Sequence, residues 1–176
     1  MAVVNNGGDL KAALEQVKAK AAESDCIWKV LSVHEPIYGT VEEMDPETRG
    51  ELTQLIEDAG IDFVFTGDDH AYARTYPLKG GQQVASEEGV VYYICGDLSG
   101  KSNEFHKYDY FAEAIPHETY QGMYLSVQAD SEKMTITAYD YNGDQLDQYT
   151  KERGACEQGN HTFGEESLYD LEQGTI

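Results

Sequence analysis

The chain has 176 residues, enough for one domain that buries a core without disulfide or metal staples. Its 12 basic and 33 acidic residues leave a net charge of -21, which argues against a nucleic acid partner, because binding a phosphate backbone needs a basic face. No run approaches the roughly 20 apolar residues of a membrane helix, so no membrane partner is expected, and the acidity itself reads first as a solvated surface.

The amino terminus, Met-Ala-Val-Val-Asn-Asn-Gly-Gly, has no basic region and no long apolar segment, so no signal peptide is visible and localisation stays open. Asp9 is placed to cap a helix running to about Glu23, with Leu10, Ala13, Leu14, Val17 and Ala21 at three- and four-residue spacing on one face. Cys26 to Val33, with Trp28 near its start, reads as a strand leading into His34. After a loop, Asp45-Pro46 begins a second helix, Asp as cap and Pro at the first helical position. Leu52, Leu55, Ile56 and Ala59 form its buried face, and Gly60 ends it.

Phe63 to Thr66 is an apolar run stopping at Gly67, as expected of a strand buried on both faces. Asp68, Asp69 and His70 follow at its carboxyl end, where open α/β sheets assemble their sites. Alternate side chains of such a loop face one cavity, so Asp68 and His70 are candidate ligands for two neighbouring metals, with His34 a third at the end of the preceding strand. Two such strands separated by one helix make a βαβ unit with its polar cluster on one rim.

Lys79-Gly80-Gly81-Gln82 is a turn, and Val90 to Cys95 a further strand. Residues 101–122 read as an aromatic loop. Three β runs, Tyr124 to Ala129, Met134 to Tyr139 and Gln145 to Tyr149, close the domain as an antiparallel meander, with Asn142-Gly143 as a hairpin turn. From Lys151 on the chain is acidic and glycine-containing, and residues 151–176 are expected to form a poorly packed tail. Cys26, Cys95 and Cys156 include no Cys-x-x-Cys pair, which argues against a zinc ribbon; Cys26 and Cys95 read as small core residues. Asp97 reads as a turn former, His106 and His117 as surface residues, and His161 as a tail residue without a role.

Val33-His34-Glu35-Pro36-Ile37-Tyr38, followed by Thr66-Gly67-Asp68-Asp69-His70-Ala71-Tyr72-Ala73-Arg74-Thr75-Tyr76-Pro77, resembles the second half of a calcineurin-like metallophosphoesterase domain. The nearest pattern is the purple acid phosphatase branch, which reads Gly-His-x-Pro-x-Tyr and then Gly-His-x-His-Ala-Tyr-Glu-Arg-x-x-Pro. The resemblance covers about residues 8–150 as a partial domain. It implies an α/β fold: half of an α/β/β/α sandwich with a mixed sheet, two helices and the terminal meander. It would leave exposed the sheet face and edge that meet the front half, a surface for association.

The resemblance further implies a dinuclear centre of iron, zinc or manganese acting on a phosphate ester substrate, with His34 and Asp68 at positions for one metal and His70 for its partner. Tyr72 and Arg74 would support the loop, Arg74 by a bidentate pair with the neighbouring carboxylates. The family's Asp-x-His and Gly-Asn-His segments do not occur before Lys29, and Asp68 stands where the pattern has His, so metal binding by this chain is expected to be weak or partial. No residue is assigned a catalytic or substrate-binding role. The implied activity is that of a metal-dependent phosphoric ester hydrolase, incomplete in this chain; the alternative is a degenerate, non-catalytic binding module. Relatives in this branch are often extracytoplasmic.

Overall fold

The computed structural model describes residues 1–4, 9–98, 101, 103–120 and 122–153. In chain order its elements are β1 (Ala2–Val4), α1 (Leu10–Ala22), β2 (Val30–Val33), α2 (Pro46–Asp58), β3 (Phe63–Thr66), β4 (Tyr72–Thr75), β5 (Leu78–Lys79), β6 (Gln82–Gln83), β7 (Val91–Cys95), β8 (Phe111–Ile115), β9 (Met123–Ala129), β10 (Lys133–Asp140) and β11 (Gln145–Glu152). A mixed sheet runs β1-β2-β3-β7-β4-β8, parallel from β1 through β7 and antiparallel beyond it. The meander β11-β10-β9 forms a second, antiparallel sheet, and β5-β6 is a small hairpin.

Both helices begin as their caps dictate. Asp9 accepts from Ala12 N and Asp45 from Thr48 N, and Pro46 opens α2, where its missing N–H costs nothing. Gly60 takes a φ of 66° just past the end of α2, a left-handed conformation that ends the helix without steric cost.

Alternation along the central strands divides the core in two. Leu31, Val33, Val64, Tyr92 and Ile94 pack under the helices with Leu14, Leu52 and Ile56. Phe63, Val91, Tyr93 and Tyr72 face the other way, against Met134, Ile136 and Ala138 of the meander. The continuous apolar runs thus serve a sheet covered on both faces, each fully buried large side chain contributing about 1.5–3 kcal/mol. The mixed sheet, two helices and meander match the expected architecture.

Several elements depart from the sequence reading. The sheet begins at Ala2, where Val3 is exposed on the β1 edge. The first expected strand shortens to Val30–Val33, because its opening residues run as an irregular segment that leaves Cys26 exposed rather than in the core. Tyr72–Thr75, given no element in the sequence reading, is a strand between β7 and β8, and the aromatic segment after residue 101 contributes β8. Neither has a simple apolar alternation. Thr75 Oγ1 accepts from Tyr92 N at 3.0 Å where the β4 register shifts, so a side chain stands in for a ladder bond.

The last strand runs to Glu152, past the point where a loose tail is expected, and Lys151 is buried. Asp62, buried at the mouth of β3, accepts from Arg153 at 2.7 and 2.6 Å and from Lys29 N at 2.9 Å, with Lys151 Nζ 3.2 Å away. Burial pushes the Lys151 ammonium down against the pull of Asp62, and Arg153 lies over the Trp28 ring. This cluster ties the meander to the central sheet. Asp62→Asn strands the buried Lys151, so a loss of about 3–5 kcal/mol in urea-unfolding stability is expected. Residues 154–176, including Cys156 and His161, lie outside the described residues.

Candidate functional site

The carboxyl ends of the parallel strands β2 and β3 bring two loops together. Gly67 N donates to His34 O at 2.9 Å, and the His34 ring lies over Gly67, whose added Cβ would stand 3.7 Å from Nδ1. His34 Nε2 and Asp68 Oδ1 approach to 3.4 Å, both side chains more than half exposed. Asp68 and His70 have φ of 64° and 55°, left-handed values that Asp and His tolerate better than most residues. Two such residues in one short loop are strain that the surrounding contacts must hold, a pattern typical of functional turns.

Asp69 supplies much of that hold. Its Oδ2 accepts from Thr40 N, from Thr40 Oγ1 at 3.0 Å and from Val41 N at 3.2 Å, clasping the segment after the His34 loop. Gly39 is required there: a Cβ would sit 2.5 Å from Glu42 O and 3.3 Å from Asp69 Oδ2. Asn103 Nδ2 donates to the carbonyls of Asp68 and Asp69, His106 N to Thr40 O and Tyr110 Oη to Gly39 O, so the aromatic segment braces both loops. Asp69 is thus the clasp between the two loops.

His70 goes elsewhere. Its Nδ1 lies 2.6 Å from Asp97 Oδ2, while His117 Nδ1 lies 2.8 Å from Asp97 Oδ1 without the alignment of a hydrogen bond. The three side chains are largely buried, at 20, 11 and 11% exposure, so Asp97 is more than a turn former and His117 is not a surface residue. Gly96, at φ 65°, makes the turn after β7 that delivers Asp97, and a Cβ there would collide with Met123. The clue available in the sequence was position: Gly96-Asp97 ends the strand beside β3, on the rim that carries His34 and His70. His106, by contrast, is about half exposed.

Arg74 donates from Nε to Asp147 Oδ2 at 2.6 Å and from Nη2 to Oδ1 at 3.2 Å, and Tyr72 Oη donates to Oδ2 at 2.6 Å. Its bidentate partner belongs to the meander and not to the neighbouring loop, because β4 turns Tyr72 and Arg74 toward the second sheet. Burial raises the Asp147 carboxyl, but the bonds from Arg74 and Tyr72 outweigh it and hold the group below the usual carboxylate range.

The sequence therefore named two residues that meet, His34 and Asp68, and a third, His70, whose ring lies against Asp97. Imidazole and carboxylate suit zinc, iron or manganese. Their number does not suffice: among the described residues no three His, Cys, Asp or Glu side chains form a group able to hold a metal ion.

No protein-family model and no curated protein sequence matches the chain. Solved structures do. A purple acid phosphatase from yellow lupin (Lupinus luteus) seeds superposes with a TM-score of 0.72 at 17% identity, over 92% of this chain and 34% of that one. The chain has part of a metallophosphoesterase fold. GAP50, the anchor in the inner membrane complex of Plasmodium, superposes with a TM-score of 0.65 at 11% identity, over 89% of this chain and 50% of that one. The chain thus spans a third of the length of one neighbour and half of the other. Among the described residues no helix of this phosphoesterase-type fold is long and apolar enough to cross a membrane.

Proposed function

We propose that the chain forms the carboxyl half of a metal-dependent phosphoric ester hydrolase domain, in which His34 and Asp68 are donors toward one cation and His70 toward its partner. The observation carrying this reading is the convergence of the two strand-end loops, with His34 and Asp68 3.4 Å apart and Asp68 and His70 both in left-handed backbone. Held by such residues, cations would supply positive charge toward phosphoryl oxygens and would make a bound water more acidic. The donors present are too few for that centre, so hydrolysis by this chain alone is not part of the proposal; the remaining donors would come from beyond the described residues. What these residues contribute is orientation. The Asp69 clasp and the Asn103 brace fix the loop so that the His34–Asp68 pair stays open to solvent.

A second reading, a non-catalytic scaffold, is favoured by Asp68 standing where the phosphatase pattern has an imidazole. The Plasmodium neighbour, named as an anchor, carries the same fold, and fold does not fix activity.

Zinc titration by calorimetry separates the two. Wild type is expected to bind weakly and to show little turnover of an aryl phosphate. Asp68→His supplies a second imidazole beside His34 and is expected to tighten zinc binding at least about tenfold, a gain that His34→Ala removes. Unchanged affinity in Asp68→His withdraws the assignment of this loop to a metal centre and leaves the scaffold reading.

A further inference from the structure

The His70–Asp97 contact carries a consequence for His70 that does not depend on counting ligands. A carboxylate only accepts hydrogen bonds, and Asp97 Oδ2 lies 2.6 Å from His70 Nδ1, so the proton of the neutral ring belongs on Nδ1. Nε2 is then left with its lone pair on the side of the ring away from Asp97. Ligating histidines are held in this way by an outer carboxylate, which fixes both tautomer and ring orientation.

We propose that Asp97 is the positioning residue of His70, locking it as the Nδ1–H tautomer and presenting Nε2 to a divalent cation of the zinc type. The proposal rests on the hydrolase reading above for the cation, and on the geometry alone for the tautomer. Asp97 is well suited to the task. It sits on the turn made by Gly96 at the end of β7, paired in register with β3, so the two loops are carried by adjacent strands of one rigid sheet. Its side chain is 11% exposed, which keeps competing water from the contact.

The test uses the whole chain with ¹⁵N-labelled histidine, reading ring tautomers from long-range ¹H–¹⁵N correlation spectra at about pH 8.5, where an ordinary imidazole is neutral. His70 is assigned by its loss in His70→Gln. Expected is a His70 signature with Nδ1 protonated, which Asp97→Leu converts toward the Nε2–H form that free imidazole side chains favour. Zinc affinity in Asp97→Leu is expected to fall about 10–100-fold. Should that variant fail to fold, the wild-type spectrum still decides: His70 carrying its proton on Nε2 overturns the proposal. His70 as Nδ1–H in a protein that binds no zinc at any concentration upholds the positioning role and counts against the hydrolase reading instead.

Discussion

Arg74→Ala is expected to lower the unfolding free energy by about 3–5 kcal/mol, read as a shift of the urea midpoint at unchanged slope. The magnitude follows from what the variant leaves behind. Arg74 and Asp147 are 12 and 11% exposed, and the guanidinium grips both carboxylate oxygens. Removing it leaves a largely buried carboxylate with Tyr72 Oη as its remaining side-chain donor, an uncompensated charge where water cannot replace the lost partner. Arg74→Lys recovers only part of the loss, because an ammonium cannot make the two-pronged contact and loses the stacking of the guanidinium 5.0 Å over the Tyr149 ring. Pairing Arg74→Met with Asp147→Leu restores most of the stability, since both charges then leave together.

The same pair gives a pH dependence with a definite sign. In the folded state the Asp147 carboxyl is held below the usual carboxylate range, so its contribution is present above that range and is lost as pH falls through the folded pKa. Wild type should therefore lose stability relative to Asp147→Asn as the solution is taken below about pH 4, and the two curves should run parallel at higher pH. A difference that stays constant down to pH 2 would show that the carboxylate is not held by Arg74.

Asp69→Ala should cost about 3 kcal/mol or more in stability and should also open the site. Its Oδ2 takes two backbone N–H groups and one hydroxyl at a position 7% exposed, so truncation strands three donors of the Thr40–Val41 segment. With the clasp gone, the left-handed Asp68 and His70 lose the contact that over-determines them, and the His34–Asp68 approach should relax. Hydrogen exchange is the measurement: the Thr40 and Val41 amides should lose protection while those of β2 and β3 keep theirs. Asp69→Asn, which retains an acceptor oxygen, should fall between. Equal protection in wild type and Asp69→Ala would mean that the loops are held by the aromatic segment alone.

The opposite fates of Arg74 and Asp69 mark where sequence reading stops. Both stand in one motif of charged residues after β3, and charge and spacing alone put them on a common task. Strand alternation separates them. Arg74 lies on β4 with its side chain toward the meander, whereas Asp69 lies in the turn before it and reaches back to the segment after His34. The register of β4 against β7 makes that choice, and β4 was not recognisable because its exposed-looking residues, Arg74 and Thr75, are paid for by partners 73 and 17 residues away.

Local chemistry was enough for the rest of the frame. Asp9 and Asp45-Pro46 announce helix starts through backbone N–H groups a few residues on, and the apolar runs at Phe63 and Val91 announce a sheet covered on both sides. His34 and Asp68 could be paired from sequence because both follow parallel neighbouring strands, so their strand ends share a rim. His70, Asp97 and His117 could not. Their association spans 27 and 20 residues and depends on a left-handed glycine, an antiparallel excursion through β8 and a turn of 3-10 helix at His117–Thr119. Short-range preferences act over one turn or one strand, while a contact of that kind exists only once the sheet has been assembled and its loops have been packed against one another.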